Sequence, residues 1–279
     1  MGAAMKKESV LSKIFLFFIP LTLILIFTLF PFYWTLITSI KTPKEIFQLT
    51  YWPHSVSFSN YIKLFTQSDY LICLRNSFLV AACTTLVTLC TTLLAAYAFS
   101  RYRFKGKKAF LTIFLMINMF PSVLLLVPLF AIMRNLHILY TPGALILAYS
   151  TFTIPFSVWM LTGFLNDLPS ALEEAAMVDG CNRPKAFVRI ILPIAVPGIV
   201  ATGVYIFINA WNEYTYAVMF TNNTSRTIPV FLKLLVGEFN IDWGLLTAGG
   251  IITILPICIM FMFVQKSLIQ GLTAGAVKG

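Results

Sequence analysis

Long, uninterrupted runs of apolar residues constrain this sequence more than any other feature. The first run, residues 14–38, contains no charged residue, and a helix needs about 20 apolar residues to cross the hydrocarbon core of a bilayer. Comparable runs occur at residues 71–100, 110–133, 144–165, 192–220 and 245–264. Because a spanning segment must satisfy its own backbone hydrogen bonds, these runs predict six transmembrane helices in an all-α integral membrane protein.

Composition excludes the other broad classes of protein. Of the 279 residues, 59% are hydrophobic and 11% are charged, whereas about 25% of residues are charged in ordinary soluble domains. Intrinsic disorder requires low hydrophobicity together with high charge, which is the opposite balance. The five cysteines include no C-x-x-C pair, so no disulfide or metal site is expected. We expect a single transmembrane domain over residues 1–279.

The distribution of lysine and arginine predicts the orientation in the membrane. If the N-terminus is cytoplasmic, the inner segments carry 13 of the 20 basic residues, as the positive-inside rule requires. Both termini are then cytoplasmic. A basic cluster over residues 101–108 is interpreted as a topology anchor, and the alternative is recognition of an anionic lipid or nucleic acid.

The inner segment between the fourth and fifth predicted spans contains the signals of a short helix. Ser170 and Glu173 have the spacing of a capping box. Glu173 and Glu174 place negative charge in the first helical turn, where it suits the helix dipole. Gly180 supplies a left-handed stop. These signals predict a helix of about nine residues outside the membrane.

Features around this short helix suggest that it docks onto another protein. The paired Ala175 and Ala176 predict a face of low relief that a partner surface can approach closely. A second short helix is expected from about Arg183, and a break is expected at Pro193, where the fifth span begins. A helix this short is marginally stable alone, which is consistent with a docking role.

This inner segment resembles a known family signature. Glu174-Ala-Ala-x-x-x-Gly180, then nine residues, then Ile190-x-Leu192-Pro193 is similar to the EAA loop of binding-protein-dependent ABC importer permeases. Asp179 before the glycine is usual in the sugar branch, whereas Cys181 and Arg183-Pro184 are mild departures. The C-terminal sequence Gly-Leu-Thr-Ala-Gly-Ala-Val-Lys-Gly, residues 271–279, resembles the tail of the maltose-type inner-membrane subunit.

The resemblance implies a type I ABC importer permease in the cytoplasmic membrane of a bacterium or archaeon. Its parts are a five-helix core over residues 71–268, a cytoplasmic coupling loop over residues 166–193 and a cytoplasmic tail over residues 270–279. The implied partners are a second permease subunit, forming a heterodimer, two ATPase subunits, an external solute-binding protein, membrane lipid and a carbohydrate, with a di- or oligosaccharide favoured. No nucleic acid is expected.

The resemblance also implies that this chain is a non-catalytic subunit. ATP and Mg are expected on the partner ATPase, with no cofactor bound here, and the sequence lacks a G-x-x-x-x-G-K-[ST] phosphate loop. The residues assigned to ATPase coupling are Glu173, Glu174, Ala175, Ala176, Asp179, Gly180, Ile190, Leu192 and Pro193. Those assigned to the tail are Gly271, Leu272, Thr273, Gly275, Lys278 and Gly279.

Polar side chains within the apolar runs are the candidates for a translocation path. Polar groups in a span usually face a cavity or another helix because they are costly in lipid, and hydroxyls, amides and aromatic rings suit a sugar. The alternative is that they form interhelical hydrogen bonds. The candidates are Asn118, Tyr149, Thr153, Tyr205, Asn209, Asn212, Glu213 and Tyr216. In the second span, Thr84, Thr88 and Thr91 or Thr92 are instead expected to support close helix packing.

Two other classes of function are alternatives to the importer. In an ion-coupled secondary transporter, Glu213 would be a proton or cation site, and uptake would need no ATPase. That alternative gives no reason for the EAA-like loop. A membrane enzyme lacks support, because the sequence contains no H-E-x-x-H motif, catalytic serine constellation or intramembrane acid pair.

Overall fold

A computed structural model describes the backbone of residues 10–237 and 240–276, and the side chains of residues 15–237 and 240–265. Within this part of the chain the elements are helical, apart from an isolated bridge between Val236 and Ile241. The helices are α1 (Val10–Ser39), α2 (Ser59–Thr66), α3 (Tyr70–Arg101), α4 (Lys107–Met119), α5 (Leu126–Asn135), α6 (Pro142–Asp167), α7 (Ala171–Val178), α8 (Arg183–Ala186), α9 (Leu192–Ile194), α10 (Val196–Asn212), α11 (Thr215–Phe220), α12 (Ile228–Leu234) and α13 (Trp243–Ala276).

Four of the described helices, α1, α3, α6 and α13, are long and apolar enough to cross a membrane. Two bent helix pairs bring the number to six if each pair forms one span. The first pair covers residues 107–135 with a bend of 93°, and the second covers residues 183–212 with a bend of 75°. The predicted all-α membrane fold is confirmed.

The bend in the third predicted span corrects the expectation of a continuous helix there. Helix α4 ends at Met119, and Phe120 adopts an extended conformation with φ −75° and ψ 131°. Pro121 follows, and a proline disfavours the helical conformation of the residue before it. A 3₁₀ turn at Ser122–Leu125 then leads into α5. The break therefore has a local cause.

The fifth predicted span also differs from the expectation. The bend lies at Ala195 and not at Pro193, because Pro193 occupies the first turn of α9, where its missing N–H costs nothing. Between α8 and α9, Phe187–Ile191 forms a π-helical turn. At the far end, α10 stops at Asn212, and residues 213–214 separate it from α11.

The chain divides into two compact units, residues 1–68 with 235–252, and residues 69–234 with 253–279. In the first unit, the amide of Asn60 donates to the carbonyl oxygens of Ser39 at 2.9 Å and Lys41 at 3.2 Å. Lys41 is fully buried, with Nζ 4.8 Å from the centre of the Trp34 ring and 3.0 Å from the carbonyl oxygen of Gln48. These contacts fix the chain that leaves α1.

The second unit is built on the packing of α3, α6 and α10. Thr84, Thr88 and Thr92 on α3 are fully buried, which agrees with the packing predicted for them. The hydroxyl of Thr88 donates to Ser150 Oγ on α6 at 3.2 Å. Helices α6 and α10 approach closely at Gly198, where a Cβ atom would lie 2.5 Å from the Phe164 ring. Small side chains thus allow the three helices to pack closely.

Candidate functional site: a coupling helix and a polar cavity

Helix α7, which we call the coupling helix, forms where the sequence predicts a short helix. It has eight residues, and Gly180 after it adopts the left-handed conformation with φ +84°. Glycine is the residue that tolerates this conformation without steric cost. An eight-residue helix has little stability of its own, so its contacts with the neighbouring helices hold it in place.

Glu173 attaches the coupling helix to the end of α3. Its side chain is buried, the hydroxyl of Tyr97 donates to Oε1, and Arg101 Nε donates to Oε2 at 2.9 Å. Arg101 Nη2 also donates, at 3.2 Å, to the carbonyl oxygen of Leu168, the residue immediately after α6. One guanidinium therefore joins α3, the end of α6 and the coupling helix.

The predicted capping box is wrong in its hydrogen bonds. Ser170 lies at the N-cap position but has helical dihedral angles, φ −63° and ψ −25°, and its side chain makes no capping hydrogen bond. The Glu173 carboxylate is bound to Tyr97 and Arg101. The tertiary contact replaces the local one because a charged donor forms a stronger hydrogen bond than a backbone N–H does.

An apolar cluster supports this attachment. Ala96, Leu161, Leu165, Ile191 and Ala195 form a buried core that joins α3, α6 and the segment leading into α10. The rings of Tyr97 and Phe187 pack at its edge, with centroids 4.5 Å apart. Movement of the coupling loop is therefore resisted by contacts with three spanning helices.

The roles of Tyr97 and Arg101 are not predicted by the sequence patterns described above. Arg101 lies in the basic cluster interpreted as a topology anchor, and no motif includes Tyr97. The available signal was their spacing of four residues, which places both side chains on one face of a helix. That spacing shows a shared face but does not identify Glu173 as the partner.

The two alanines of the signature lie on different faces of the coupling helix. Ala176 is buried and Ala175 is exposed, so the prediction of a paired low-relief face is wrong. Residues 175 and 176 are adjacent, and adjacent residues on a helix point in different directions. The exposed surface of the coupling helix and its C-terminal end includes Glu174, Ala175, Val178, Asp179 and Gly180.

The remaining coupling residues lie in the segment that leads into α10. Ile190 and Leu192 are half-buried, whereas Pro193 is exposed. A small cavity of about 110 Å³ lies beside the coupling helix, with Tyr97, Arg101, Glu174 and Arg183 among its lining residues. Assignment of these residues to ATPase coupling stays a prediction.

A polar cavity of about 260 Å³ lies in the second unit. Seven of the eight predicted path residues line this cavity, and the eighth, Asn212, is exposed and lies outside the lining. The convergence comes from α4, α6, α10 and α11, whose polar side chains meet in one place. The lining residues are Ile117, Asn118, Phe120, Ser122, Tyr149, Phe152, Thr153, Tyr205, Asn209, Ala210, Glu213 and Tyr216.

Glu213 has a structural role that the sequence pattern does not predict. It lies in the break between α10 and α11, not inside a continuous helix. Its carboxylate accepts hydrogen bonds from the backbone N–H groups of Tyr216 at 2.9 Å and Ala217 at 3.1 Å. The first N–H groups of a helix have no partner within the helix, so Glu213 caps α11 while also lining the cavity.

The hydrogen bonds of the other cavity residues are mostly local. Asn118 donates to the Phe114 carbonyl oxygen at 2.9 Å, and Asn209 donates to the Tyr205 carbonyl oxygen at 2.7 Å. Each amide keeps its side-chain oxygen available as an acceptor. The Tyr216 hydroxyl is different, since it donates to the carbonyl oxygen of Ser122 at 2.5 Å and joins α11 to the bent third span.

The predicted C-terminal tail falls partly outside the described residues. The backbone at Gly271, Leu272, Thr273 and Gly275 continues α13, which is helical through Ala276. Lys278 and Gly279 lie outside the residues that the structure describes. As for metals, no three His, Cys, Asp or Glu side chains in the described part of the chain are placed to hold an ion.

The structure combines apolar helices long enough to span a membrane, a polar cavity among them and a short anchored helix between two of them. Residues 88–274 match the family of binding-protein-dependent transport system inner membrane components. The chain belongs to this family. It is a permease subunit of an ABC importer and a multi-pass membrane protein. None of the comparisons supports the ion-coupled alternative.

Curated relatives cover nearly the whole chain. The chain is 39% identical over 265 residues, which are 94% of this chain and 93% of the relative, to the sulfoquinovosyl glycerol transport system permease protein SmoH of Agrobacterium fabrum. It is 36% identical over 277 residues, 98% of this chain and 99% of the relative, to the trehalose/maltose transport system permease protein MalG of Thermococcus litoralis.

A solved structure has the same fold. A chain of a bacterial ABC transporter involved in the import of the acidic polysaccharide alginate superposes with a TM-score of 0.81 at 21% identity. The match covers 94% of this chain and 99% of that chain. This likeness confirms the type I ABC importer permease fold.

Proposed function

We propose that this chain is the permease subunit of an ATP-driven importer that translocates a neutral di- or oligosaccharide by alternating access. The observation that carries the proposal is the attachment of the coupling helix to α3 through Glu173 and Arg101. This attachment lies beside the cluster at the start of α10, and the polar cavity lies near the end of α10. At 1.5 Å per residue, Ala195 and Asn209 are about 20 Å apart along the helix.

The coupling helix transmits closure of the ATPases to the spans. When two ATPase subunits close on ATP and Mg, they move the exposed face at Glu174 and Ala175. The buried face of the coupling helix moves with it and transmits the movement through Glu173, which is hydrogen-bonded to α3. The segment that follows the coupling helix transmits it through Ile191, which packs against α6. Such a contact shifts the equilibrium between inward-open and outward-open states only if it differs between the two states.

The chemistry of the cavity favours a neutral, hydroxyl-rich substrate. Amide and carboxylate oxygens accept hydrogen bonds from sugar hydroxyls, and the rings of Tyr205 and Phe152 offer apolar faces. The lining includes the acid Glu213 and no lysine or arginine, so this chain's part of the cavity offers no cationic side chain to an anionic saccharide. Relatives named as permeases of a trehalose/maltose transport system and a diacetylchitobiose uptake system support a disaccharide or longer substrate.

The complex that we propose contains this chain, a second permease subunit, two ATPase subunits and an external solute-binding protein. The two permeases form a heterodimer with the path between them, and the solute-binding protein delivers the sugar from outside. Both termini and the coupling helix lie in the cytoplasm. This orientation agrees with the distribution of lysine and arginine.

Retention of the ATPase during purification tests the coupling part of the proposal. The chain is expressed with its partner permease and ATPase, and the solubilised native complex is compared with Glu174→Lys and Gly180→Pro. We expect the native complex to retain the ATPase and both variants to release it. Asp69→Lys is the matched control, since it reverses an exposed acid at the opposite end of α3 and is expected to retain the ATPase.

Transport by the reconstituted complex tests the substrate part. Vesicles loaded with ATP and Mg are supplied with the binding protein and labelled disaccharides or uronic-acid oligosaccharides. We expect uptake of a neutral disaccharide that stops when ATP is omitted. Failure of the native complex to retain an ATPase in several mild detergents, or uptake driven by an ion gradient without ATP, would overturn the importer assignment.

A further inference from the structure

A large apolar groove in the second unit is separate from the polar cavity. It has a volume of about 620 Å³ and lies among α3, α10 and α13. This size is within the roughly 300–1,000 Å³ typical of small-molecule sites. Its apolar lining includes Leu71 and Phe78 of α3, Phe207 of α10, and Pro256 and Ile259 of α13. We call these residues, with Arg75 and Trp211, the apolar groove.

Two polar groups of the apolar groove lack partners within the described part of the chain. Arg75 is exposed and forms no ion pair or hydrogen bond there. Trp211 is 1% exposed, and its indole Nε1–H has no acceptor. A buried donor without an acceptor is unfavourable. Both residues line the same groove, but the Trp211 Nε1–H is enclosed by the protein, whereas the Arg75 side chain is exposed.

The position of the groove along the helices matches one leaflet of a bilayer. Arg75 is five residues from the start of α3, and Trp211 is one residue from the end of α10. Leu71 to Phe78 covers about 10 Å of α3 at 1.5 Å per residue. The Tyr70 hydroxyl at the start of α3 lies 3.1 Å from Thr253 Oγ1 on α13, so Pro256 and Ile259, three and six residues further along α13, lie beside this first part of α3. Arg75 is therefore near the headgroup end.

We propose that the apolar groove binds one phospholipid, with an acyl chain along the groove and the headgroup at Arg75. The guanidinium of Arg75 pairs with the phosphate, a geometry that arginine favours. In the orientation proposed above, this lipid belongs to the outer leaflet, but the site itself does not depend on that orientation or on the transported substrate.

Charge complementarity favours a phospholipid over a second apolar helix in this groove. A phospholipid supplies an acyl chain for the apolar lining and an anionic phosphate for Arg75. A purely apolar helix would cover Arg75 and leave its guanidinium without an acceptor. Phospholipid therefore satisfies both the apolar lining and Arg75.

Lipid retention by the assembled importer tests the proposal. The native complex and an Arg75→Gln variant are purified in the same detergent, and bound phospholipid is counted by native mass spectrometry. This substitution keeps much of the side-chain volume and removes the charge. We expect the Arg75→Gln variant to retain about fivefold less of one phospholipid per complex, as loss of a charge-assisted contact predicts. Arg134→Gln changes an exposed arginine outside the groove and is expected to match the native complex.

Photocrosslinking supplies a second measurement that does not depend on these substitutions. A benzophenone side chain at Ile259 is activated in the complete complex in lipid nanodiscs, and the adduct is identified by mass spectrometry. An adduct with phospholipid supports the proposal. An adduct with the partner permease overturns it, as does equal lipid retention by the native complex and the Arg75→Gln variant. Loss of ATPase binding or of uptake, by contrast, would contradict the proposed function. The number of bound lipids tests the lipid site independently of that result.

Discussion

Arg101 Nε donates to Glu173 Oε2 at 2.9 Å, and this ion pair joins the end of α3 to the coupling helix. The side chain of Arg101 is 12% exposed and that of Glu173 is 8% exposed. Water therefore screens the pair little, and Tyr97 adds a second donor to the carboxylate. Glu173 of the coupling helix is thus held by Arg101, which lies 72 residues earlier in the chain.

Breaking this ion pair is expected to uncouple ATP hydrolysis from transport. Arg101→Gln leaves the Glu173 carboxylate without its charge partner, and removing one member of a buried pair costs about 3–5 kcal/mol. We expect a lower unfolding temperature of the purified complex and ATPase activity that no longer responds to the loaded binding protein. Thermal unfolding and ATP hydrolysis in nanodiscs measure the two effects.

A charge exchange separates the ion pair from general damage to the site. The double variant Arg101→Glu, Glu173→Arg is expected to recover part of the lost stability, with a coupling energy beyond the sum of the single effects. Arg103→Gln, at an exposed neighbouring arginine, is expected to behave as the native protein. Equal losses in Arg101→Gln and Arg103→Gln would contradict the role assigned to the pair.

The cost of a substitution at Gly180 is expected to depend on backbone conformation alone. A Cβ atom at this position meets no other atom within 4 Å, so strain at φ +84° is the single cost. Gly180→Ala should cost about 1–2 kcal/mol, and Gly180→Asn should cost less because asparagine adopts the left-handed conformation more readily. ATPase retention after dilution measures the effect on docking.

Gly163→Ala is the control for this pair of variants. Its Cβ atom also meets nothing within 4 Å, and its φ is not positive, so alanine is expected to be neutral or mildly stabilising in α6. If Gly180→Ala and Gly180→Asn bound the ATPase equally tightly and as well as Gly163→Ala, the left-handed turn would have no part in docking.

Gly198 is expected to be sensitive for a different reason. A Cβ atom there would lie 2.5 Å from the Phe164 ring, so α6 and α10 would have to separate or repack. Overpacking of this kind costs about 1–3 kcal/mol. We expect Gly198→Ala to lower the unfolding temperature and Phe164→Leu to restore part of the loss in the double variant. Gly250→Ala, where the space is open, should leave the temperature unchanged.

Glu213 and Asn209 are expected to contribute to uptake through the polar cavity. Glu213→Ala removes both the charge and the cap of α11, and loss of a cap costs about 1 kcal/mol. Glu213→Gln keeps an acceptor for the cap and removes the charge. If the carboxylate binds sugar hydroxyls, Glu213→Gln should lower uptake about tenfold, since hydrogen bonds to charged groups contribute about 1.5–3 kcal/mol.

Asn209→Ala and Asn212→Ala form a matched pair three residues apart on α10. Asn209 lines the cavity and Asn212 is exposed outside it. Asn209→Ala is expected to lower sugar uptake about fivefold, as the loss of a neutral hydrogen bond of about 1 kcal/mol predicts, whereas Asn212→Ala is expected to retain native uptake. Similar uptake rates for both variants, measured at equal protein levels in the membrane, would show that the cavity does not bind the sugar.

Local sequence signals predicted most of the helices. The apolar run at residues 14–38 becomes α1, and the run at residues 144–165 becomes α6. Gly180 adopts the left-handed turn expected after the coupling helix. The break at Pro121 also has a local cause that was available in the sequence, although the prediction treated the span as continuous. Such features depend on hydrophobicity and backbone preference over a few residues.

Helical spacing predicted which polar residues share a face, and it was less successful where the helix is interrupted. Asn209 and Tyr205 lie four residues apart on α10 and reach the same cavity. Asn212 does not, and Glu213 turns back to cap α11 because the helix ends between them. A periodicity argument assumes a continuous helix, and that assumption fails at this break.

The sequence by itself determined that this chain crosses a membrane, where its apolar segments lie, and which family it resembles, because these follow from local hydrophobicity and a contiguous motif. The tertiary structure alone decided that Glu173 pairs with Arg101 and Tyr97 instead of completing a capping box. It also decided that residues from four helices meet in one cavity. These contacts join residues far apart in the chain, and their energy depends on burial and geometry that packing creates.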